Sequence, residues 1–312
     1  MGSCVHGTLG LCLKAGVECY QSGSKRKDPD MSLEDYKSII DQCKNKVQQI
    51  ALGGAGDPNL HKNFKEIMQY TRENGIVPNY TTSGINLTDE QAEVTKQFAG
   101  AVAVSWYDRS QDGYTVRAIK KFLGNNIITN IHYVLSNKSI DEAIERIKNQ
   151  TFPDVNAIIF LLHKPVGIGR QENVLKTEDP RVKKFFKLVD EGDHPWQIGF
   201  DSCSIPGIVN FTKEISLNSI DTCEGARFSA YITPDMKMTP CSFDQDLRWA
   251  VDLRRHTIQE AWDSDAFESF RNNLRDSCPS CLEREHCMGG CPIKREIVLC
   301  NRPEKGLGIC TP

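Results

Sequence analysis

The 312-residue sequence predicts an α/β fold with a parallel sheet, followed by a small cysteine-rich C-terminal domain. A regular alternation of short apolar runs and amphipathic segments, between Val47 and His163, supports the first part. After about Trp196 the alternation stops, and cysteines crowd between Cys278 and Cys310. Strands that alternate with helices of this length form parallel sheets. We therefore expect one domain over residues 1–195 and a second over residues 196–312.

The predicted elements of the first domain are five strands and the four helices between them. The strands are "QQIALGG" (48–54), "IVPNYTTSG" (76–84), "AVAVSWYD" (101–108), "IITNIHYVL" (127–135) and "NAIIFLLH" (156–163). The helices cover residues 63–75, 88–100, 113–126 and 139–150, where apolar residues recur three and four positions apart. Thr88 and Ser139 stand where helix N-caps are expected.

The loops that follow these strands are the expected location of a functional site, because ligands of such sheets bind beyond the carboxyl ends of the strands. The loops are polar and rich in glycine, as in "GGAGDPNLH" and "HKPVGIG". Thr82, Ser83 and Ser105 place hydroxyl groups at successive strand ends. One such hydroxyl alone more often satisfies the backbone, but the joint placement favours a binding role. His132 points into or out of the sheet depending on the strand register.

Composition and charge limit the range of partners. The formal net charge is -3, which gives no basic surface of the kind that nucleic acids require. The chain has no apolar run of 18 residues and no secretory signal pattern. We therefore predict a cytoplasmic protein that binds neither membranes nor nucleic acids.

The 13 cysteines predict metal binding, because a cytoplasmic protein of this size keeps its thiols reduced. The strongest motif is "CPSCLEREHCMGGC", which contains Cys278, Cys281, Cys287 and Cys291. Its irregular spacing favours an iron–sulfur cluster over zinc, since a zinc ribbon more often has two separate CxxC pairs. Cys43 lies on a predicted helix and is interpreted as a small buried hydrophobic residue.

The cysteine-rich tail, together with "CEGARFSAYITPDMKMTPC" ahead of it, resembles the SPASM extension of radical SAM enzymes. The first half resembles the partial (β/α)6 TIM-like barrel of the same family, so that the resemblance covers nearly the whole chain. It implies S-adenosylmethionine as cofactor, one radical SAM [4Fe-4S] cluster and two auxiliary [4Fe-4S] clusters.

The resemblance also implies ligands for the auxiliary clusters. Cys223, Cys241 and Cys291 match ligands of the first, while Cys278, Cys281, Cys287 and, in preference to Cys300, Cys310 match ligands of the second. Some family members have a further ligand of the first cluster where this chain has Ser229. Either Cys203 takes that place or one iron stays open. The hairpin glycine of the family is Met236 here.

The cluster loop of the family, CxxxCxxC followed by an aromatic residue, is incomplete in "LCLKAGVECYQSG". Cys12, Cys19 and Tyr20 match it, but Gly16 replaces the middle cysteine. We expect Cys4 to substitute as a ligand; the alternative is a degraded site. Only three residues precede Cys4, which leaves open whether the barrel has its first strand.

The remaining implied residues bind S-adenosylmethionine: Gly53, Gly54, Asp57, Thr82, Ser83, Ser105 and His132. The resemblance implies reductive cleavage of this cofactor to a 5'-deoxyadenosyl radical, which abstracts hydrogen from a peptide or protein. Flavodoxin or ferredoxin is the expected electron donor. Formylglycine formation is disfavoured, because Ser242 rather than an aspartate follows Cys241. The alternative function is a non-catalytic iron–sulfur or zinc scaffold.

Overall fold

In the computed structural model, residues 19–20, 30–54, 56–107, 110, 112–220, 222–273, 281 and 283–301 are described, together with the backbone of residues 4–8. The strands are β1 (Cys4–Thr8), β2 (Gln49–Gly53), β3 (Val77–Thr82), β4 (Val102–Ser105), β5 (Thr129–Leu135), β6 (Ala157–Leu162), β7 (Gln197–Phe200), β8 (Ser229–Ile232), β9 (Lys237–Thr239) and β10 (Val251–Asp252). The helices are α1 (Leu33–Cys43), α2 (Phe64–Glu73), α3 (Asp89–Phe98), α4 (Tyr114–Gly124), α5 (Ile140–Lys148), α6 (Pro180–Glu191), α7 (Ile205–Phe211), α8 (Ile258–Trp262), α9 (Asp265–Arg271) and α10 (Arg284–Cys287).

The strands form one sheet in the order β10-β9-β8-β1-β2-β3-β4-β5-β6-β7. Neighbours from β1 to β7 are parallel, and β1 to β6 follow the chain as in a partial TIM-like barrel. The α/β fold and the five predicted strands, now β2 to β6, are confirmed. The barrel also has its first strand, because β1 pairs with β2 on one side and with β8 on the other.

The helix starts follow local hydrogen bonding. Thr88 caps α3 through a capping box, in which its hydroxyl accepts from the Gln91 N–H and the Gln91 side chain accepts from the Thr88 N–H. Ser139 is the N-cap residue of α5, as predicted, but its side chain makes no capping hydrogen bond. Its hydroxyl donates instead to the Val134 carbonyl and accepts from the Ser136 N–H. The preceding turn thus competes with the helix for the same hydroxyl.

The core under the sheet is rich in aromatic residues. Phe160 packs edge-on against Phe185 at 4.9 Å between ring centroids, and Tyr133 lies 5.5 Å from Phe160. Burying one such ring stabilises the fold by about 1.5–3 kcal/mol, so these contacts fix β5 and β6 relative to the helices. Trp249 and Phe270 form a second contact, at 5.2 Å, in the C-terminal part.

In the part of the chain that the structure describes, no helix combines the length and the apolar character that crossing a bilayer requires.

Candidate functional site

The carboxyl ends of the barrel strands open into a cavity of about 460 Å³. Residues of the predicted cofactor site and of the predicted first auxiliary cluster line this same cavity. They are Cys19, Tyr20, Gly53, Gly54, Asp57, Ser83, Ser105, His132, Cys203, Cys223, Cys241 and Cys291. The fold thus brings together residues that are separated by up to 272 positions in the sequence, from Cys19 to Cys291.

The loop after β6 fixes Cys19 and Tyr20 at the cavity. The Ile168 N–H donates to the Cys19 carbonyl at 3.1 Å. Gly167 has a φ of +64°, and a Cβ there would lie 2.4 Å from the Tyr20 carbonyl oxygen, so only glycine allows this approach. The Tyr20 ring lies 4.7 Å from the Phe243 ring, which encloses the cavity on this side. Burial raises the pKa of Tyr20 well above its usual range, although a hydrogen bond with Ser242 opposes the rise.

Asp57 is held by the end of β3. Its carboxylate accepts from the Ser83 N–H at 2.7 Å and from the Ser83 hydroxyl at 2.5 Å. Burial raises the pKa of Asp57, and these hydrogen bonds partly offset the rise. Because a carboxylate has about four acceptor positions, Asp57 retains the capacity to accept from an ammonium group.

The hydroxyl positions differ in part from those predicted. Thr82 is buried and does not line the cavity; its hydroxyl accepts from the Gly84 N–H at 3.0 Å. Alternation along β3 places Thr81 and Ser83 at the cavity, and the Thr82 side chain hydrogen-bonds Asp57 from behind them. His132 lines the cavity and hydrogen-bonds the Thr81 hydroxyl at 3.4 Å, so its register is inward. Ser105, its register partner on β4, lies beside it.

Four cysteine thiols converge at the other side of the cavity. Cys203 lies in the turn after β7, Cys223 precedes β8, Cys241 follows β9, and Cys291 follows α10. A hydrogen bond with Cys291, and then burial, raise the pKa of Cys203. Burial raises the pKa of Cys223 to about 11 and that of Cys241 above its usual range. The electrostatic interaction with Cys203 also raises the pKa of Cys223 and that of Cys241. None of the four forms a disulfide.

This donor set fits a [4Fe-4S] cluster, which takes four thiolates. In the described ranges, no three His, Cys, Asp or Glu side chains converge as they would around a single metal ion. The ligands of a cluster stand further apart than those of one zinc ion, because each thiolate binds a different iron. The four thiols therefore match the number of ligands that a cluster takes.

The predicted ligands of the second auxiliary cluster are described only in part. Cys281 and Cys287 are half-buried, whereas Cys278 and Cys310 lie outside the described residues. Cys300 packs against the apolar core. Positive φ angles at Met288, Gly289 and Gly290 turn the chain between Cys287 and Cys291. Cys291 lines the cavity and Cys287 does not, which agrees with ligands of two different clusters.

The backbone position of Cys4 disfavours its predicted role as a substitute ligand, which stays a prediction. Cys4 is the first residue of β1 and pairs with Gln49, whereas Thr8 at the other end pairs with Gly53 at the cavity. Four residues of strand place Cys4 about 13 Å from that end. Residues Cys12 and Gly16 lie outside the described part of the chain.

Sequence reasoning missed a buried ion pair at the cavity, between Lys164 and Asp201 at 2.5 Å. The available signal was a lysine directly after an apolar strand, in "FLLHKP", since such a strand end faces the cavity. His163 also lines the cavity, and its ring hydrogen-bonds the Arg170 carbonyl.

Comparison with known proteins shows what this chain is similar to. Residues 223–288 match the SPASM iron-sulfur cluster-binding domain. The sporulation killing factor maturation protein SkfB of Bacillus subtilis is 22% identical over 256 residues, which cover 78% of this chain and 60% of that protein. The mycofactocin maturase MftC of Mycobacterium tuberculosis is 24% identical over 301 residues, which cover 90% of this chain and 75% of that protein.

Among solved structures, SuiB of Streptococcus suis bound to S-adenosylmethionine aligns with a TM-score of 0.69 and 15% identity. The alignment covers 96% of this chain and 78% of SuiB. SuiB bound to its precursor peptide SuiA aligns with a TM-score of 0.71 and 14% identity, over 96% of this chain and 76% of SuiB. At this identity the likeness shows the fold. Together with the domain match, these relatives confirm the resemblance to radical SAM enzymes with a SPASM extension.

Proposed function

We propose that this chain is a radical SAM enzyme that modifies a peptide or protein. The observation that carries the proposal is the single cavity, into which the strand ends of the barrel and the four thiols of Cys203, Cys223, Cys241 and Cys291 both open. A cofactor and an auxiliary cluster bound there would face one substrate.

When bound, the reduced radical SAM cluster and S-adenosylmethionine supply one-electron cleavage of a carbon–sulfur bond and hydrogen abstraction. The residues of this chain hold and orient that cofactor. Gly53 and Gly54 allow close backbone approach, and Asp57 accepts from the methionine ammonium. Ser83 and Ser105 offer hydroxyls to its polar groups, and Tyr20 with Phe243 excludes water on one side.

The metal sites follow from the thiols. Cys12 and Cys19 bind the radical SAM cluster, and Cys203, Cys223, Cys241 and Cys291 bind the first auxiliary cluster. Cys278, Cys281, Cys287 and Cys310 bind the second. Because the first auxiliary cluster would have four protein ligands, its role is to carry electrons rather than to bind the substrate directly.

The substrate class is supported by the relatives, whose names describe maturation of a killing factor and of mycofactocin, and by the precursor peptide bound to SuiB. A thioether or a carbon–carbon crosslink is the proposed type of modification. Formylglycine formation is not proposed, because the Asp244 carboxylate is buried and accepts from the Arg248 and Trp249 N–H groups. A flavodoxin or ferredoxin in the cytoplasm would supply the electrons.

Anaerobic reconstitution tests the proposal. We expect about twelve irons per chain, for three [4Fe-4S] clusters, and release of 5'-deoxyadenosine from S-adenosylmethionine once dithionite is added. Cys19→Ala should abolish this release. Cys4→Ala is the matched control and should retain it, because Cys4 begins β1 away from the cavity. Bound zinc without nucleoside release would instead establish the scaffold function, with the loop disabled at Gly16.

A further inference from the structure

The buried ion pair of Lys164 and Asp201 is not used by the proposed function. Lys164 is the second residue after the end of β6, and only 3% of its side chain is exposed. Its ammonium group donates to the Asp201 carboxylate at 2.5 Å and to the Leu162 carbonyl at 2.8 Å. Asp201 is itself fixed, because it also accepts from the Leu162 N–H at 3.1 Å and from the Ser204 hydroxyl at 2.8 Å. The ammonium group is therefore held in one place.

This charge lies between the two predicted cluster regions. On one side, the ammonium group stands 4.5 Å from the centre of the Phe243 ring, which packs against Tyr20 next to Cys19. On the other side, Asp201 opens the turn that carries Cys203. Lys164 interacts electrostatically with Cys203 and Cys291. Among the described residues that line the cavity, Lys164 is the only lysine or arginine.

A buried ion pair is weak evidence for a stabilising role, because the free energy lost when two charges leave water can exceed the free energy gained from their attraction. Burial opposes the charged form of Lys164, yet Asp201 raises its pKa above the usual range, so the ammonium group stays charged at neutral pH. The pull of Lys164 on the Cys203 thiol exceeds the opposing effect of Asp201. At Cys203 the pair thus acts as a net positive charge, and Lys164 also lowers the pKa of Cys241.

We propose that Lys164, held by Asp201, is a positioning residue whose charge favours the one-electron-reduced state of the first auxiliary cluster. The inference rests on the proposed function, which assigns that cluster to Cys203, Cys223, Cys241 and Cys291. A cluster with four thiolates carries a net charge of about -2 when oxidised and about -3 when reduced. A nearby cation stabilises the more negative state, and it does so strongly where water is excluded. The step transfers one electron from a low-potential donor to the cluster, without a proton and without bond cleavage.

The test is a potentiometric titration with dithionite, in which electron paramagnetic resonance measures the amount of reduced cluster. A full-length background with Cys12→Ala, Cys19→Ala, Cys281→Ala and Cys287→Ala isolates the first auxiliary cluster. This background should bind about four irons. If it binds none, the ligand assignment in the proposed function is wrong. If it binds four, the potential of the cluster tests the role of Lys164 separately.

In that background, Lys164→Met and Lys164→Gln should each make reduction about tenfold less favourable, which is a negative shift of about 59 mV for one electron. Lys164→Arg keeps the positive charge and should therefore have the same cluster potential as the background protein. Lys121→Met is the matched control, because Lys121 forms an ion pair of the same length with Asp89 away from the cavity. It should leave the potential unchanged. The proposal is overturned if both neutral Lys164 variants keep the original potential, or if neither binds the cluster, since Lys164 would then be structural only.

Discussion

Two cysteines of this chain show how neighbours decide the role of one side chain. Cys43 is 1% exposed on α1, among apolar residues, and burial raises its pKa to about 12. Cys203 is also enclosed, but a hydrogen bond to Cys291 and the charge of Lys164 surround its thiol. Cys203 lines the cavity together with three other cysteines, as ligation of a cluster requires, whereas Cys43 does not line it. Cys43 is therefore a core residue and Cys203 a proposed ligand.

This contrast gives a prediction at the residue scale. Cys203→Ala should lose about four of the bound irons, because one corner of the first auxiliary cluster loses its ligand. Cys43→Ala should keep the full iron content and lower the free energy of unfolding by about 1 kcal/mol, as small core truncations do. Iron analysis and urea unfolding of both variants provide the check. Equal iron content in the two variants would rule out Cys203 as a ligand.

At the residue scale, a departure from the family pattern was informative. Ser229 in place of a ligand directed attention to Cys203, which the structure places beside Cys223, Cys241 and Cys291. Strand register decides positions that the sequence left open. Along β3, Thr81 rather than Thr82 lines the cavity, and Cys4 lies at the end of β1 away from it. Register depends on pairing between distant segments, which a single sequence does not record.

At the scale of elements, the hairpin of β8 and β9 carries a strained residue. Met236 has a φ of +64°, a conformation that costs a residue with a side chain about 1–2 kcal/mol. Its side chain is only 4% exposed, and its carbonyl accepts from the Leu253 N–H at 2.8 Å. Burial of the side chain therefore offsets the strain at the position where the family has glycine.

The prediction for this hairpin is an unusual order of stability. Met236→Ala loses the buried side chain and keeps the strain, whereas Met236→Gly loses the side chain and removes the strain. Both variants should be less stable than the natural protein. The free energy of unfolding of Met236→Gly should be about 1 kcal/mol higher than that of Met236→Ala. Chemical denaturation of the three proteins measures this. An alanine variant at least as stable as the glycine variant would show that the turn stores no strain.

The regular elements were predictable where hydrophobic periodicity is long, as in α2 to α5 and β2 to β6. β1 was not predicted, because its five residues, "CVHGT", have no clear alternation and become a strand by pairing with β2 and β8. In the C-terminal part, α8 and α9 are two separate helices, since Ser264 caps a new start by accepting from the Phe267 N–H.

For the whole molecule, β1 joins the two parts of the sheet. It pairs with β2 of the barrel and with β8 of the C-terminal hairpin, so the sheet continues across the predicted domain boundary at residue 195. Cys203 and Cys223, which belong to different parts of this sheet, line the same cavity. A cluster bound there would therefore crosslink the barrel edge to the C-terminal segment.

Removal of the clusters should consequently loosen one part of the molecule more than the other. Residues 283–301 contain little regular structure, so that thiolate–metal bonds would add to their order, whereas β3 to β6 lie over an aromatic core. In hydrogen–deuterium exchange, the metal-free protein should exchange about tenfold faster across 222–228 and 283–301, with β3 to β6 unchanged. Mass spectrometry of the loaded and metal-free chains measures this. If exchange in β3 to β6 accelerates by the same factor, the clusters stabilise the barrel core as well. That result would contradict a stabilising effect confined to the C-terminal segment and its contact with the barrel edge.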